Sequence, residues 1–449
     1  MKLWEHQQLT KERYQDLSGR AFNASDPGTG KTIATLAYAF ENDLRTLILA
    51  PKTLLETAWK SDWEKFPAWP DVDVAWAQNR AKVFKSGVPN VITNIEGVNW
   101  LAKNPQYIKN FDLVVCDEST AFKNPASQRS KNAKQVFERI PQAINMSGTP
   151  MSKSVKDLWF QYLLIDNGAR LGTNFTRFRY QFCTPERPPG APPGAVLWKD
   201  KPGAADQIAE LVADITVRYA RDECMSIPDN QITSVEYDLE PELRKAYYEM
   251  MKTAALQLKS GVLLEAANAA VARNKLLQIL TGSLYHLDGS IEELSSYRAE
   301  LITDLIEARE ASVVFYIWKH QRVVWEKQSK QRGLEVAFID GTVSSGKRAR
   351  IVQDFQAGKY RAIFLHPATG AHGLTLTRAK TVIFSTPPGD RPDWMTQGIA
   401  RIVRGGQTSK TETILVSAKD TLEKRVYDSI LEERDVGESF IDYVKELGE

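Results

Sequence analysis

The sequence predicts an α/β chain of two lobes, each a parallel sheet covered by helices, with a mostly helical region between them. Three observations lead there. The chain has 449 residues, too many for one ordinary domain and enough for two or three. Short apolar runs alternate with longer helical patterns in the first part of the chain, and the same alternation returns in the last third. Between them lies a stretch rich in Ala, Leu, Lys and Glu, all good helix formers.

The first runs are Thr46-Leu47-Ile48-Leu49-Ala50, Val91-Ile92-Thr93 and Leu113-Val114-Val115-Cys116. A strand covered on both faces needs no polar alternation, so continuous apolar runs bounded by turns read as buried parallel strands. The late runs are Val313 to Tyr316, Val336 to Ile339, Ala362 to Leu365, Val382 to Phe384 and Glu412 to Val416. Residues 185 to 204 carry Pro185, Pro188, Pro189, Pro192 and Pro193 and read as an exposed loop. Residues 241 to 281 read as long helices. The expected division is a first lobe over 1–160, a helical insertion over 161–295 and a second lobe over 296–449. No repeat of short fixed period is present.

Composition excludes several classes. The chain is 43% hydrophobic and 25% charged, the balance of an ordinary globular protein. No run approaches the roughly 20 apolar residues of a membrane span, and the N-terminus lacks the apolar stretch of a signal peptide. A cytoplasmic location, without membrane contact, is the expectation. Cys116, Cys183 and Cys224 are odd in number and far apart, so neither a disulfide framework nor a zinc site is implied. Cys116, inside an apolar run, reads as a buried core thiol. The net charge is only +2. A nucleic-acid partner would therefore need positive charge concentrated locally.

Ser25-Asp26-Pro27-Gly28-Thr29-Gly30-Lys31-Thr32 precedes a helical stretch. Ser25 stands where the strict phosphate-loop pattern has its first Gly, but the physical requirements survive. Gly28, Thr29 and Gly30 let the backbone wrap a phosphate, with N–H groups at a helix N-terminus directed at it. Lys31 would reach the β and γ phosphates of ATP, and Thr32 would hold Mg²⁺. Gly341-Thr342-Val343-Ser344-Ser345-Gly346-Lys347-Arg348 spells a similar pattern but ends in Arg where the metal-binding hydroxyl belongs, and reads as a turn. Asp117-Glu118 closes an apolar strand, which puts both carboxylates at the ligand-binding edge of an open sheet. Asp117 would coordinate Mg²⁺ and Glu118 would orient or deprotonate the attacking water.

Other features are weaker alone. Gln7 reads either as an adenine contact or as part of a solvated N-terminal helix. Ser147-Gly148-Thr149-Pro150 reads as a turn that could sense the γ-phosphate. Arg401 and Arg404 are three apart and would share a helix face. On spacing alone a solvated basic helix end takes precedence over arginine fingers. Lys319, His320, Arg322, Lys327, Lys330 and Arg332 form a basic helical patch, which reads first as a solvated face.

Taken in order, these blocks resemble helicase superfamily 2, and within it the Swi/Snf-type ATPases. Pro51-Lys52-Thr53-Leu54-Leu55 with Trp59 and Trp63-Glu64-Lys65-Phe66 is similar to the family segment that touches the nucleic-acid backbone. Val91-Ile92-Thr93-Asn94-Ile95-Glu96, Phe122-Lys123-Asn124-Pro125 and Ser147-Gly148-Thr149-Pro150 with Leu158-Trp159 match further blocks. Ile339-Asp340-Gly341-Thr342, Gly370 to Thr377, and Gln397, Arg401, Arg404, Gly406 and Gln407 match the blocks of the second lobe. The resemblance covers nearly the whole chain.

The resemblance implies two RecA-like P-loop NTPase lobes with ATP in the cleft between them. It implies Arg401 and Arg404 as fingers, and Gln7, Gly373 and Gln397 as nucleotide-binding residues. It also implies a nucleic-acid track along Lys52, Thr93, Lys123, Asn124, Thr342, His366 and Thr375. Arg177 and Arg179, beside Phe175 and Phe178, would belong to an inserted region against the duplex. The chain departs from the family at Asp117-Glu118-Ser119-Thr120, where an Asp-Glu-x-His block is usual, at Ser25-Asp26-Pro27 and at His366-Pro367-Ala368. These touch coupling more than hydrolysis. The compact form is similar to stand-alone versions carried by bacteria and their viruses.

The expected function is an ATP-dependent translocase, acting as a monomer on double-stranded or branched DNA with little sequence preference and with RNA left open. The alternative is a conventional strand-separating helicase on DNA or RNA. An inactive nucleic-acid-binding scaffold is opposed by the intact Lys31, Thr32, Asp117, Glu118, Arg401 and Arg404.

Overall fold

A computed structural model describes residues 2–65, 70–151, 154–187, 196–224, 229–259, 266–285, 290–370, 374–388 and 392–432. The chain divides into two compact units, the first built mainly from residues up to 185 and from 198 to 226, the second mainly from 227 to 432.

The first unit contains β1 (Arg20–Asn23), β2 (Thr46–Ala50), β3 (Val72–Ala75), β4 (Asn90–Asn94), β5 (Leu113–Asp117) and β6 (Gln142–Met146). A short pair, β7 (Cys183–Glu186) and β8 (Leu197–Asp200), follows, then β9 (Thr216–Val217). The main sheet runs β3-β4-β2-β5-β6-β1-β9, and its pairings are parallel. The apolar runs are continuous because both faces are covered. In β2, Leu47 and Leu49 enter one hydrophobic cluster while Ile48 enters the other; in β5, Val114 and Cys116 divide from Leu113 and Val115 in the same way. Full burial of each such aliphatic side chain contributes roughly 1.5–3 kcal/mol. Cys116 is buried and free, as its apolar run predicts.

The second unit contains β10 (Asn230–Tyr237), the small hairpin β11 (Ser283–Tyr285) and β12 (Ile291–Glu293), and then β13 (Ser312–Phe315), β14 (Val336–Ile339), β15 (Ala362–Leu365), β16 (Thr381–Phe384) and β17 (Thr411–Ala418). Its sheet runs β10-β17-β16-β13-β15-β14 and is again parallel. Val313 and Phe315 face one cluster, Val314 the other. The two parallel sheets with their helices are the RecA-like pair that the sequence predicts.

The stretch read as a helical insertion also supplies sheet. Helices Pro241–Lys259 and Ala266–Ile279 are present, but β9 extends the first sheet and β10 the second. The Pro-rich stretch is not wholly loop either, since β7 and β8 pair across it. Pro188, Pro189, Pro192 and Pro193 lie outside the described residues.

The basic helix, Lys319–Gln331, is answered by acids. Arg322 pairs with Glu326 and Asp340 at 2.8 Å each, and Arg332, just past the helix, pairs with Asp304 and Glu307. His320 is no cation at neutral pH. It is buried, 2.7 Å from the Thr281 hydroxyl, and burial depresses its pKa to about 4. A depressed histidine means that the unfolded chain binds the extra proton first as pH falls. Stability should therefore be lost between about pH 6.5 and 4, by up to about 3 kcal/mol from this group. Denaturant unfolding across that range should show a slope that His320→Gln flattens; an unchanged slope would reject the assignment. No helix among the described residues is long and apolar enough to cross a membrane.

Candidate nucleotide-binding and catalytic site

The site of the first unit grows from the C-terminal edge of its sheet. β1 ends at Asn23, the chain turns through residues 24 to 30, and α2 (Lys31–Glu41) begins. Gly28 and Gly30 have φ of +94° and +80°, the left-handed region that favours glycine. A Cβ on Gly30 would lie 2.1 Å from Gln7 Nε2. The N-terminus of α2 takes no side-chain cap, which leaves its amides to an anion.

The helix α1 (Glu5–Asp16) lays two side chains on this loop. Gln7 Nε2 donates to the Thr29 carbonyl at 3.3 Å, and Gln7 Oε1 accepts from Trp4 N at 3.0 Å. His6 Nε2 donates to the same Thr29 carbonyl at 2.7 Å. The structure thus puts Gln7 against the phosphate loop rather than on a solvated face.

The far side of the loop is tied to the segment after β9. Asp26 N donates to the Tyr219 carbonyl at 3.1 Å, and Tyr219 N donates to Ser25 Oγ at 3.1 Å. Buried Arg218 donates to Asp26 Oδ1 at 2.5 Å, and Arg221 N donates to Asp26 Oδ2 at 2.9 Å. Burial alone would raise the Asp26 carboxyl, but Arg218 and Arg221 outweigh it and hold the pKa below the usual range. Sequence reasoning missed Arg218. It follows a strand only two residues long, too short for any periodicity to announce.

Lys31 Nζ donates to the carbonyls of Ser25 at 2.7 Å and Asp26 at 3.0 Å. Burial lowers its pKa, opposed by the charges of Glu118, Asp117 and Asp26. Lysine, loop and the two carboxylates therefore form one electrostatic unit. β5 ends at Asp117, and Glu118 follows with φ +61° and ψ +55°. A non-glycine residue held in the left-handed region stores of order 1–2 kcal/mol of strain. Trp59 Nε1 donates to Asp117 Oδ2 at 2.9 Å.

In the sheet, β6 lies between β5 and β1, so the turn after it emerges between the acidic pair and the phosphate loop. Ser147 N donates to the Asn23 carbonyl, and a Cβ on Gly148 would lie 2.7 Å from Pro27. The predicted sensor turn abuts the loop. Thr32, the second residue of α2, is half-buried. Backbone amides, an ammonium, a hydroxyl and two carboxylates fit a magnesium–nucleotide: nitrogen donors for phosphate, hard oxygens for the cation.

In the second unit the helix Pro392–Ile399 ends before Arg401, so Arg401 and Arg404 do not share a helix face as their spacing suggests. They meet by another route. Arg401 Nη1 and Arg404 Nη1 donate to the Leu374 carbonyl at 3.3 and 3.2 Å, and Arg401 Nε donates to the Gln397 carbonyl at 2.8 Å. Gln397 is buried. Gly373 lies outside the described residues.

The expected nucleic-acid residues divide. Lys52 is exposed, with Nζ 4.0 Å above the Trp76 ring. Asn124 and Thr375 are exposed, Lys123 lies 3.7 Å from Asp157, and exposed Thr342 donates to Asp340 at 2.6 Å. Thr93 is fully buried and donates its hydroxyl to the Ala75 carbonyl. It is a structural residue of the sheet, and half-buried Asn94 follows it at the end of β4. His366 sits edge-on to Tyr316 and Trp394, with its pKa lowered by burial.

Comparison with known proteins decides the family. The SNF2-related domain matches residues 13–284, and the helicase conserved C-terminal domain matches residues 297–406. The chain belongs to the SNF2-related family.

Its membership makes it a nucleic-acid-dependent ATPase. Putative protein p41 of Acyrthosiphon pisum secondary endosymbiont phage 1 is 26% identical to this SNF2-related chain, over 93% of each. The DNA annealing helicase and endonuclease ZRANB3 of Mus musculus is 24% identical over 91% of the chain, which spans 38% of that protein. The putative ATP-dependent helicase/translocase YwqA of Bacillus subtilis is 24% identical over 92% of the chain, which spans 45% of it. The Sulfolobus solfataricus SWI2/SNF2 ATPase core in complex with dsDNA aligns over the whole chain and 94% of its own length at 21% identity, with a TM-score of 0.44.

Proposed function

We infer that this protein is an ATP-driven translocase on double-stranded or branched DNA. Its work would be remodelling forks or branches, annealing strands or displacing bound proteins, as a monomer in the cytoplasm. The observation that carries the reading is the clustering of Lys31 with the phosphate loop, Asp117 and Glu118. Two relatives, a DNA annealing helicase and endonuclease and a putative ATP-dependent helicase/translocase, point the same way.

In this reading the loop amides and Lys31 hold the β and γ phosphates, and Gln7 contacts the adenine. Thr32 and Asp117 would hold Mg²⁺, which when bound would supply positive charge to the phosphate oxygens. Glu118 orients the attacking water and accepts its proton. Gly373 and Gln397 belong to the nucleotide contacts, and Arg401 and Arg404 stabilise the transferring phosphoryl group. Lys52, Lys123, Asn124, Thr342, His366 and Thr375 track the DNA backbone, with Asn94 in place of buried Thr93. Phosphate contacts position a polymer without reading its bases, so little sequence preference is expected.

The test is ATP hydrolysis without nucleic acid and with single-stranded DNA, duplex DNA, a four-way junction and RNA. Stimulation by duplex or junction DNA is the expected result. Stimulation only by single strands or RNA would move the assignment to a conventional helicase. No hydrolysis under any condition would leave only a binding scaffold.

A further inference from the structure

Trp59 lies in a helical turn, Leu55–Lys60, in the segment that also carries Lys52. Its ring is fully buried in the cluster with Ile48, Ile92 and Val115, beneath the C-terminal edge of the sheet. A buried indole N–H must find an acceptor, because leaving it unsatisfied costs free energy. Here the acceptor is Asp117 Oδ2, at 2.9 Å. A neutral donor on a carboxylate makes a charge-assisted bond, which fixes the carboxylate's rotation without neutralising it. The ring cannot follow a rotating carboxylate, since its rotamer is set by close packing on all sides. Ser119, two residues along the chain from Asp117, is committed elsewhere and donates to Gln161 Oε1 at 2.7 Å.

We propose that Trp59 is a positioning residue for the cation site: its indole N–H holds the Asp117 carboxylate in the orientation that receives the divalent cation. This rests on the reading of Thr32 and Asp117 as the Mg²⁺ residues. Trp59 acts through Asp117, the one polar side chain its indole N–H reaches among the described residues. The geometry also explains why tryptophan rather than phenylalanine stands there, since the packing requires only the ring and the carboxylate requires the N–H. Partners that orient a metal ligand typically govern affinity or activity by 10–100-fold.

The experiment is a Mg²⁺ titration of nucleotide binding, followed with a fluorescent ATP analogue, on the full chain and on Trp59→Phe. Affinity in EDTA should be the same for both proteins. The Mg²⁺ concentration giving half the cation-dependent gain should rise roughly 10–100-fold in Trp59→Phe. Introducing Trp59→Phe into Asp117→Asn should add nothing, because the indole acts only through that carboxylate. On the unaltered protein, the Trp59 indole N–H resonance, assigned by its loss in Trp59→Phe, should shift with Mg²⁺ and nucleotide together but not with nucleotide in EDTA. A Phe variant with wild-type Mg²⁺ dependence would overturn the proposal. So would equal weakening with and without Mg²⁺, an added loss in the Asp117→Asn background, or an unmoved indole resonance. If the wild-type protein itself bound nucleotide with no Mg²⁺ dependence, the underlying site assignment would fall instead.

Discussion

Lys31→Ala is expected to remove ATP hydrolysis, lowering kcat by at least about 10²–10³-fold, the usual effect of deleting one preorganised charge-stabilising donor. The structure supplies the reason. Lys31 Nζ rests on the Ser25 and Asp26 carbonyls of the loop that would hold the phosphates. Burial lowers its pKa while Glu118 and Asp117 push it back up. Alanine removes the ammonium that offsets Glu118, Asp117 and Asp26 and leaves the cation alone to balance the phosphates, so nucleotide affinity should fall as well. Glu118→Gln is the companion variant. It keeps the size and polarity of the side chain but cannot accept the proton of water, so it should bind nucleotide and fail to turn it over. Steady-state hydrolysis paired with equilibrium nucleotide binding separates the two. Hydrolysis at wild-type rates in Lys31→Ala would sink the assignment of this loop.

How legible this was depends on where chemistry and pattern coincide. β2, β5 and the core strands of the second unit were plain because burial on both faces forces continuous apolar runs. β1 was not, since Arg20-Ala21-Phe22-Asn23 carries a polar residue at each end, and Asn23 is buried only because it serves the loop and the hydroxyl of Tyr14. β10 was hidden for the opposite reason. It runs along the edge of its sheet, and its exposed positions hold polar residues such as Gln231 and Thr233 that break the apolar signal. Lys31, Asp117 and Glu118 were legible because phosphate chemistry demands those residue types at fixed points of a strand and loop. The contact of Arg218 with Asp26 and that of Trp59 with Asp117 were not. They span sequence separations of 192 and 58 residues, and no local pattern records such a reach. Thr93 shows the converse failure, since a family block put a candidate on the surface where the fold buries it.

The second large effect is expected at Arg401 and Arg404. Removal of an arginine that stabilises the transferring phosphoryl group costs about 10³–10⁵ in kcat, and each alanine variant should fall in or near that range. Equilibrium nucleotide affinity should change far less, because a finger acts on charge that develops only in the transition state. Both guanidinium groups donate to the Leu374 carbonyl, so the pair is held as a unit even though the helix ends two residues before it. That shared anchor makes their losses non-additive: the double variant should be little worse than the more damaged single one. A lysine at either position keeps the charge but loses the planar fork, so Arg404→Lys should recover only part of the rate. If instead the two residues serve only to pack the loop at Leu374, alanine would lower thermal stability, and the lost hydrolysis would track the fraction unfolded. Normal stability with kcat reduced a thousandfold separates the finger from the structural arginine.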